Sequence, residues 1–397
     1  MQERLKSLDI FRGMTVAAMI MVNNPGSWDD DYPPLLHSQW HGCTPADLIF
    51  PFFIFIAGVA IPLSREGREA KGFSKGILAR HIVRRAFSLF CLGLVITWFT
   101  GYDWQLPPDA TLLGSFIDHL RDWRLPGVLQ RIGLVYLAAA LMDLYGSAKL
   151  RAGIGTLLLL GYWAVMTLIP VPGTGLTGLA ALDVPSATLA AYVDRGLFDW
   201  GEWGNHLWYF AIPSRTWDPE GALSTLPAIV SGLLGVAAGR WLQLPISLEH
   251  RLKALALAGL GGVLLGYGWD LLFPINKALW TSSFVVFTAG FAALGLAALG
   301  WLADVRGIHR WAAPFKVFGV NAILAYAGDE IVGSILYKIG VIPAESGPLD
   351  LLSAFYQLII LPRFEPRDAS LIFALSMVAF WGCVLTVFYK RGIYLKL

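Results

Sequence analysis

Ten apolar stretches, each near the length needed to cross a bilayer, constrain this chain more than any other feature. They lie at about 8–24, 46–63, 82–100, 127–145, 153–170, 223–241, 253–272, 280–302, 314–337 and 369–389. A hydrocarbon core about 30 Å thick is crossed by a helix of about 20 mostly apolar residues. In lipid the backbone has no water to bond, so spans of this kind must be helices that satisfy themselves. Only 15% of the 397 residues are charged, against about 25% in soluble domains. The sequence therefore predicts an all-α polytopic membrane protein with one transmembrane domain over 1–397. A shorter apolar piece, 351–361, stops at Pro362. It is too short to span, and reads as a re-entrant or interfacial helix.

The basic residues set an orientation. They gather at Arg4, Lys6 and Arg12, through the 64–86 loop, at Lys149 and Arg151, and at Arg240, Arg251 and Lys253. Arg306, Arg310 and Lys316 follow, then Lys390, Arg391 and Lys396. With the N-terminus in the cytoplasm, all of these fall on the cytoplasmic side, as the positive-inside rule asks. Ten spans then return the C-terminus to the same side. No small-residue cleavage site follows the first apolar run, whose start carries Asp9 and Arg12. That run is expected to stay as the first helix.

Three cysteines cannot build a disulfide framework, and Cys91 and Cys383 fall inside apolar runs. No GxxxxGK[ST] phosphate loop occurs, which disfavours a nucleotide hydrolase. Nothing points to nucleic acid.

The polar stretch 23–53 interrupts the greasy pattern on the non-cytoplasmic side. It holds His37, Trp40, His41, Cys43 and Asp47. A histidine in such a loop can act as a general base or accept an acyl group. Asp47, just after Pro45, either compensates the start of a helix or orients a histidine. Asn23 can offer an amide to a developing oxyanion. His37 and His41 are four apart, but Pro33, Pro34 and Pro45 argue against one helix through both, so no metal is expected. Two further loops on the same side, 101–126 and 171–222, are rich in Trp, Asp and Pro. They suit either a carbohydrate surface or membrane-interface anchoring. Buried polar residues at Gln130, Arg131, Asn276, Lys277 and Asn321 should face a wet interior. On the basic side, Lys75, Arg80, Arg84 and Arg85 crowd the start of the third span and could hold an anion's phosphates. The Gly-rich run 231–239 can pack within one chain or between two copies of a homodimer.

Several of these segments resemble one family. RLKSLDIFRGMTVAAMIMVNN at the start and HSQWHGCTPADLIFPFFIFIAGVAI after it are similar to the heparan-α-glucosaminide N-acetyltransferase family and its bacterial NagX-type relatives. RLPGVLQRIGLVYL, TWDPEGALSTLPAIVSGLLG, FPINKALWTSSFV and GVNAILAYAGDEI follow in family order. The resemblance implies a multi-pass enzyme of the bacterial inner membrane. It would take acetyl-CoA from the cytoplasm and acetylate glucosamine or a related amino sugar on the other side. The family's catalytic histidine matches His37 and its active-site asparagine matches Asn23, with Asp47 beside them. Trp40, His41, Asp218, Glu220, Asn276, Lys277 and Asn321 then stand as acceptor-side candidates. Arg12, Lys75, Arg80, Arg84, Arg85, Gln130 and Arg131 stand as coenzyme-side candidates. An amino-sugar transporter and an O-acyltransferase of an envelope glycan are the alternatives.

Overall fold

A computed structural model describes residues 5–101, 111–207, 216–338, 340–342 and 349–395. The opening helix α1 (Lys6–Asn23) leads through the polar stretch into α2 (Ile49–Glu69). Then come α3 (Lys75–Gly101), α4 (Leu112–Asp122), α5 (Val128–Tyr145) and α6 (Ala148–Leu168). The short α7 (Gly178–Leu182) and α8 (Leu189–Phe198) precede α9 (Ala222–Leu242), α10 (Leu248–Asp270) and α11 (Ser282–Gly300). Last are α12 (Ala313–Val320), α13 (Ala322–Lys338), α14 (Leu351–Ala354) and α15 (Pro366–Lys390). A small antiparallel pair, Gly340–Ile342 with Leu349–Asp350, joins α13 to α14.

Among the described residues, eight helices are long and apolar enough to cross a membrane. They answer to eight of the ten predicted spans. The first predicted span forms α1, but Lys6, Asp9 and Arg12 dilute its apolar character. The ninth does not run unbroken: it divides at Asn321 into α12 and α13. The predicted short apolar helix is present as Leu351–Arg363. Parts of the two Trp-rich loops form α4, α7 and α8, and their residues 102–110 and 208–215 lie outside the described residues.

Burial separates centre from rim. Two thirds of the α9 core is buried inside the protein, and over half of α2 and α5, against 22% for α3, α6 and α10. The three central helices meet through Ile54, Val135, Ala228 and Val230. Glycine makes the α2–α9 contact possible. A Cβ on Gly58 would stand 2.2 Å from the Gly232 carbonyl oxygen, and one on Gly235 would stand 2.2 Å from that of Phe55. The 231–239 run thus spends its small residues inside the chain, letting two backbones touch.

Candidate active site

Thr44 and Pro45 start the second span. Proline at the first helical position gives up no needed N–H, and the turn Pro45–Leu48 runs straight into α2. Asp47, fully buried, uses its two oxygens differently. Oδ2 accepts the backbone N–H groups of Ser38 and Thr44, both at 3.0 Å. Oδ1 lies 2.8 Å from His37 Nδ1. One carboxylate thus stands both at the helix start and beside the His37 ring.

Several ties fold the loop over the bundle, two of them to backbone carbonyls near the site. Gly42 N–H donates to the Ile275 carbonyl at 2.7 Å, and Trp40 Nε1–H donates to Leu182 O at 2.7 Å. The first brings the 271–281 turn against the loop. Lys277 Nζ then sits 3.1 and 3.2 Å from the two His37 ring nitrogens and 3.4 Å from Asp47 Oδ1. Burial pushes the Lys277 ammonium below the usual lysine range, against the pull of Asp47 and Glu220. A carboxylate at Nδ1 favours the tautomer with its proton there. That leaves Nε2 as the basic nitrogen.

His41 does not join this group. Its Nε2 lies 3.1 Å from Asp183 Oδ1, and its Nδ1 lies 3.3 Å from the Asn276 amide. Asn276 is itself fixed, accepting Leu279 N–H at 2.9 Å. Cys43 is a packer: burial, and then Asp47, push its thiol up to about 12, away from a reactive thiolate.

A cavity of about 1020 Å³ is lined by His37, Asp47, Asn23 and Lys277 and also by Arg12, Arg65, Arg68 and Arg85, of which Arg65 and Arg68 lie farther along α2. Its volume lies at the top of the range for small-ligand pockets, about 300–1,000 Å³. One stripe of α2 lines it throughout: Phe50, Phe53, Ala57, Ala60, Ile61, Ser64, Arg65 and Arg68. From Ile49 to Arg68 that stripe covers about 29 Å at 1.5 Å per residue, close to a bilayer's hydrocarbon thickness.

The cavity sorts the predicted residues. His37, Asp47, Asn23, Trp40, Glu220 and Lys277 line its polar end, and Gln130 lines its wall. Arg12 and Arg85 line the basic end. Lys75, Arg80 and Arg84 are instead exposed on the outer surface of α3. Arg80 and Arg84 lie on the face of α3 away from Leu78, Ile82, Arg85 and Leu89, which line the cavity, and Lys75 is the helix's exposed first residue. Arg131 is fully buried over the Trp280 ring, 5.1 Å from its centroid, and bonds Gly221 O. Asp218 is buried as the two-pronged partner of Arg124, at 2.8 and 2.6 Å. Arg131 and Asp218 hold the wall from behind. Asn321 is buried at the α12–α13 break, with no hydrogen-bond partner for its amide among the described residues.

Sequence reasoning missed Arg65, Arg68, Arg124, Trp217, Tyr326 and Glu330, which also line the cavity. The first two were legible: they continue the 3.6-residue stripe that begins at Asp47. Arg65 is steadied by Glu69 at 2.7 Å and by Asp143 at 3.2 Å, and Arg240 holds the same Asp143 at 2.7 Å.

A family model for the catalytic region of heparan-alpha-glucosaminide N-acetyltransferase matches residues 4–273. The mouse (Mus musculus) heparan-alpha-glucosaminide N-acetyltransferase is 33% identical over 376 residues, which is 83% of this chain and 54% of the relative. The human (Homo sapiens) protein of that name is 33% identical over 373 residues, 83% of this chain and 53% of the relative. The chain spans about half the length of the curated relatives it matches.

Proposed function

Because the chain belongs to the heparan-alpha-glucosaminide N-acetyltransferase family, we propose that it is a transmembrane N-acetyltransferase. It moves acetyl from acetyl-CoA, entering on the cytoplasmic side, to the amine of glucosamine or a related amino sugar on the far side. One observation carries this reading: a single cavity has an arginine cluster at one end and the Asp47–His37 pair at the other. Arginine guanidinium groups suit the phosphates of a CoA thioester. In this topology α1 and the broken α12–α13 helix cross the membrane as well, which puts both termini in the cytoplasm of a bacterial inner membrane.

His37 Nε2 takes the proton of the attacking amine, or accepts the acetyl group and passes it on. In the direct route the amine nitrogen forms the amide bond and the C–S bond breaks. The amine proton leaves through His37 to the CoA sulfur. Asp47 holds the imidazole, and Asn23 and Glu220 face the acceptor.

The test uses the full chain in liposomes, with acetyl-CoA on one side and glucosamine on the other. The expected result is N-acetylglucosamine formation that depends on acetyl-CoA and falls at least about 10²-fold in His37→Ala. Normal acetylation by His37→Ala would remove His37 from the mechanism. Sugar uptake without acetyl-CoA would make the chain a transporter.

A further inference from the structure

Lys277 is placed where an acyl transfer builds charge. Its Nζ is 3.2 Å from His37 Nε2, and its side chain is only 22% exposed. A thioester carbonyl carbon poised for attack sits about 3–3.5 Å from its nucleophile, with its oxygen about 1.2 Å from that carbon and to one side of the line of attack. A carbonyl beside His37 Nε2 can therefore put its oxygen at hydrogen-bond distance from Nζ. We propose that Lys277 is a catalytic residue whose ammonium stabilises the oxyanion formed when the acetyl thioester carbonyl is attacked beside His37. This inference rests on the acetyltransferase reading and adds to it the group that bears the developing charge.

The step balances in either route. A nitrogen lone pair, from the acceptor amine or from His37, forms the new C–N bond. The carbonyl π pair moves onto oxygen, opposite the ammonium, and returns as the C–S bond breaks to give the CoA thiolate. In the direct route the thiolate takes the proton released by the amine. In the two-step route the acetyl–imidazole bond breaks when the amine then attacks the same carbonyl, His37 is regenerated, and the amine proton goes to the thiolate. Lys277 exchanges no proton; it supplies fixed positive charge in a site partly shielded from water, where such charge is worth most.

The groups facing Nζ are His37 and Cys43 from the polar loop, Asp47 from the start of α2, and Glu220 from the turn before α9. Asp47 and Glu220 favour the charged form and burial opposes it, with burial the larger. The ammonium is therefore present at low pH. It is lost, as pH rises, earlier than an ordinary lysine would be. Activity should fall on the basic side as that charge disappears.

The measurement is the pH–rate profile of acetyl-CoA-dependent glucosamine acetylation by the full chain in liposomes, for wild type, Lys277→Met and Lys277→Arg. Lys277→Met should lose about 10²–10³-fold in kcat, the range for removing one oxyanion donor, with KM for acetyl-CoA little changed. Lys277→Arg should recover part of kcat and shift the basic limb upward, because a guanidinium keeps its charge above pH 12. A merely structural lysine would move no limb of the profile. Wild-type kcat in Lys277→Met, no recovery by arginine, or an unmoved basic limb would each overturn the assignment. Failure of the wild type to acetylate glucosamine would instead sink the acetyltransferase reading.

Discussion

At the scale of single residues, the site depends on how Asp47 divides its oxygens. One is taken by the Ser38 and Thr44 amides and the other faces His37. Asp47→Asn separates the two duties. The amide keeps an oxygen for the backbone donors but presents NH₂ to His37 Nδ1. That favours the tautomer with its proton on Nε2, where the base should be. We expect kcat to fall about 10²–10⁴-fold, the range for general acid–base catalysis, with the melting temperature close to wild type. Activity near wild type would show that the carboxylate only starts the helix. Thr44, Pro45 and Asp47 were legible because their chemistry is local: a capping residue, a first-turn proline and a carboxylate within three positions. Lys277 was legible as a buried cation but not as the neighbour of His37, 240 positions away. Contacts between loop and turn, Gly42 with Ile275 and His41 with Asn276, bring them together. The pairing of Asp218, an acceptor-side candidate in the sequence, was hidden for the same reason, since its arginine lies 94 positions earlier.

At the scale of elements, periodicity decided what could be read. Eight apolar runs predicted eight helices because length and composition suffice for that inference. The break at Asn321 escaped it: the run 314–337 contains no internal proline to mark the division. Counting charge density in the 64–86 loop singled out Lys75, Arg80, Arg84 and Arg85, of which Arg85 alone lines the cavity. The phase of α2 would have selected Arg65 and Arg68, which share a face with Asp47, over Lys75, Arg80 and Arg84. The α2–α9 seam gives the element-scale prediction. A methyl on Gly235 would sit 2.2 Å from the Phe55 carbonyl oxygen and 3.0 Å from the Gly58 Cα. Both are backbone atoms, so relief requires the helices to part. Gly235→Ala should cost about 1–3 kcal/mol, as overpacking does, and should lower the melting temperature in detergent. Because α2 carries both Asp47 and the cavity stripe, acetylation should fall with it. Gly67, whose added Cβ would meet nothing within 4 Å, is the control: Gly67→Ala should leave both unchanged.

At the scale of the whole molecule, one cavity has to serve two solutions. Arginines at one end suit a polyanionic donor, and the His37 end, with Glu220 and Glu330 on its wall, suits a cationic amine. Chemistry across a membrane needs these ends joined, but only by a passage wide enough for an acyl arm. Ala57 and Ala60 line the middle of α2, between Phe53 and Ser64. Their small side chains leave the passage room there. Ala57→Phe fills the middle with a ring while leaving His37, Lys277 and the arginines in place. If the donor reaches His37 through the bundle, this variant should lose at least about tenfold in acetyl transfer, since a misplacement of 1 Å can cost about 10²-fold. Acetyl-CoA should still bind at the arginine end, and the melting temperature should hold, because the added ring fills a void. Comparing acetylation with retention of labelled CoA on the same liposomes separates blocked passage from lost binding. Unchanged acetylation by Ala57→Phe would mean that the donor reaches His37 by another way, and the two-ended cavity would lose its role.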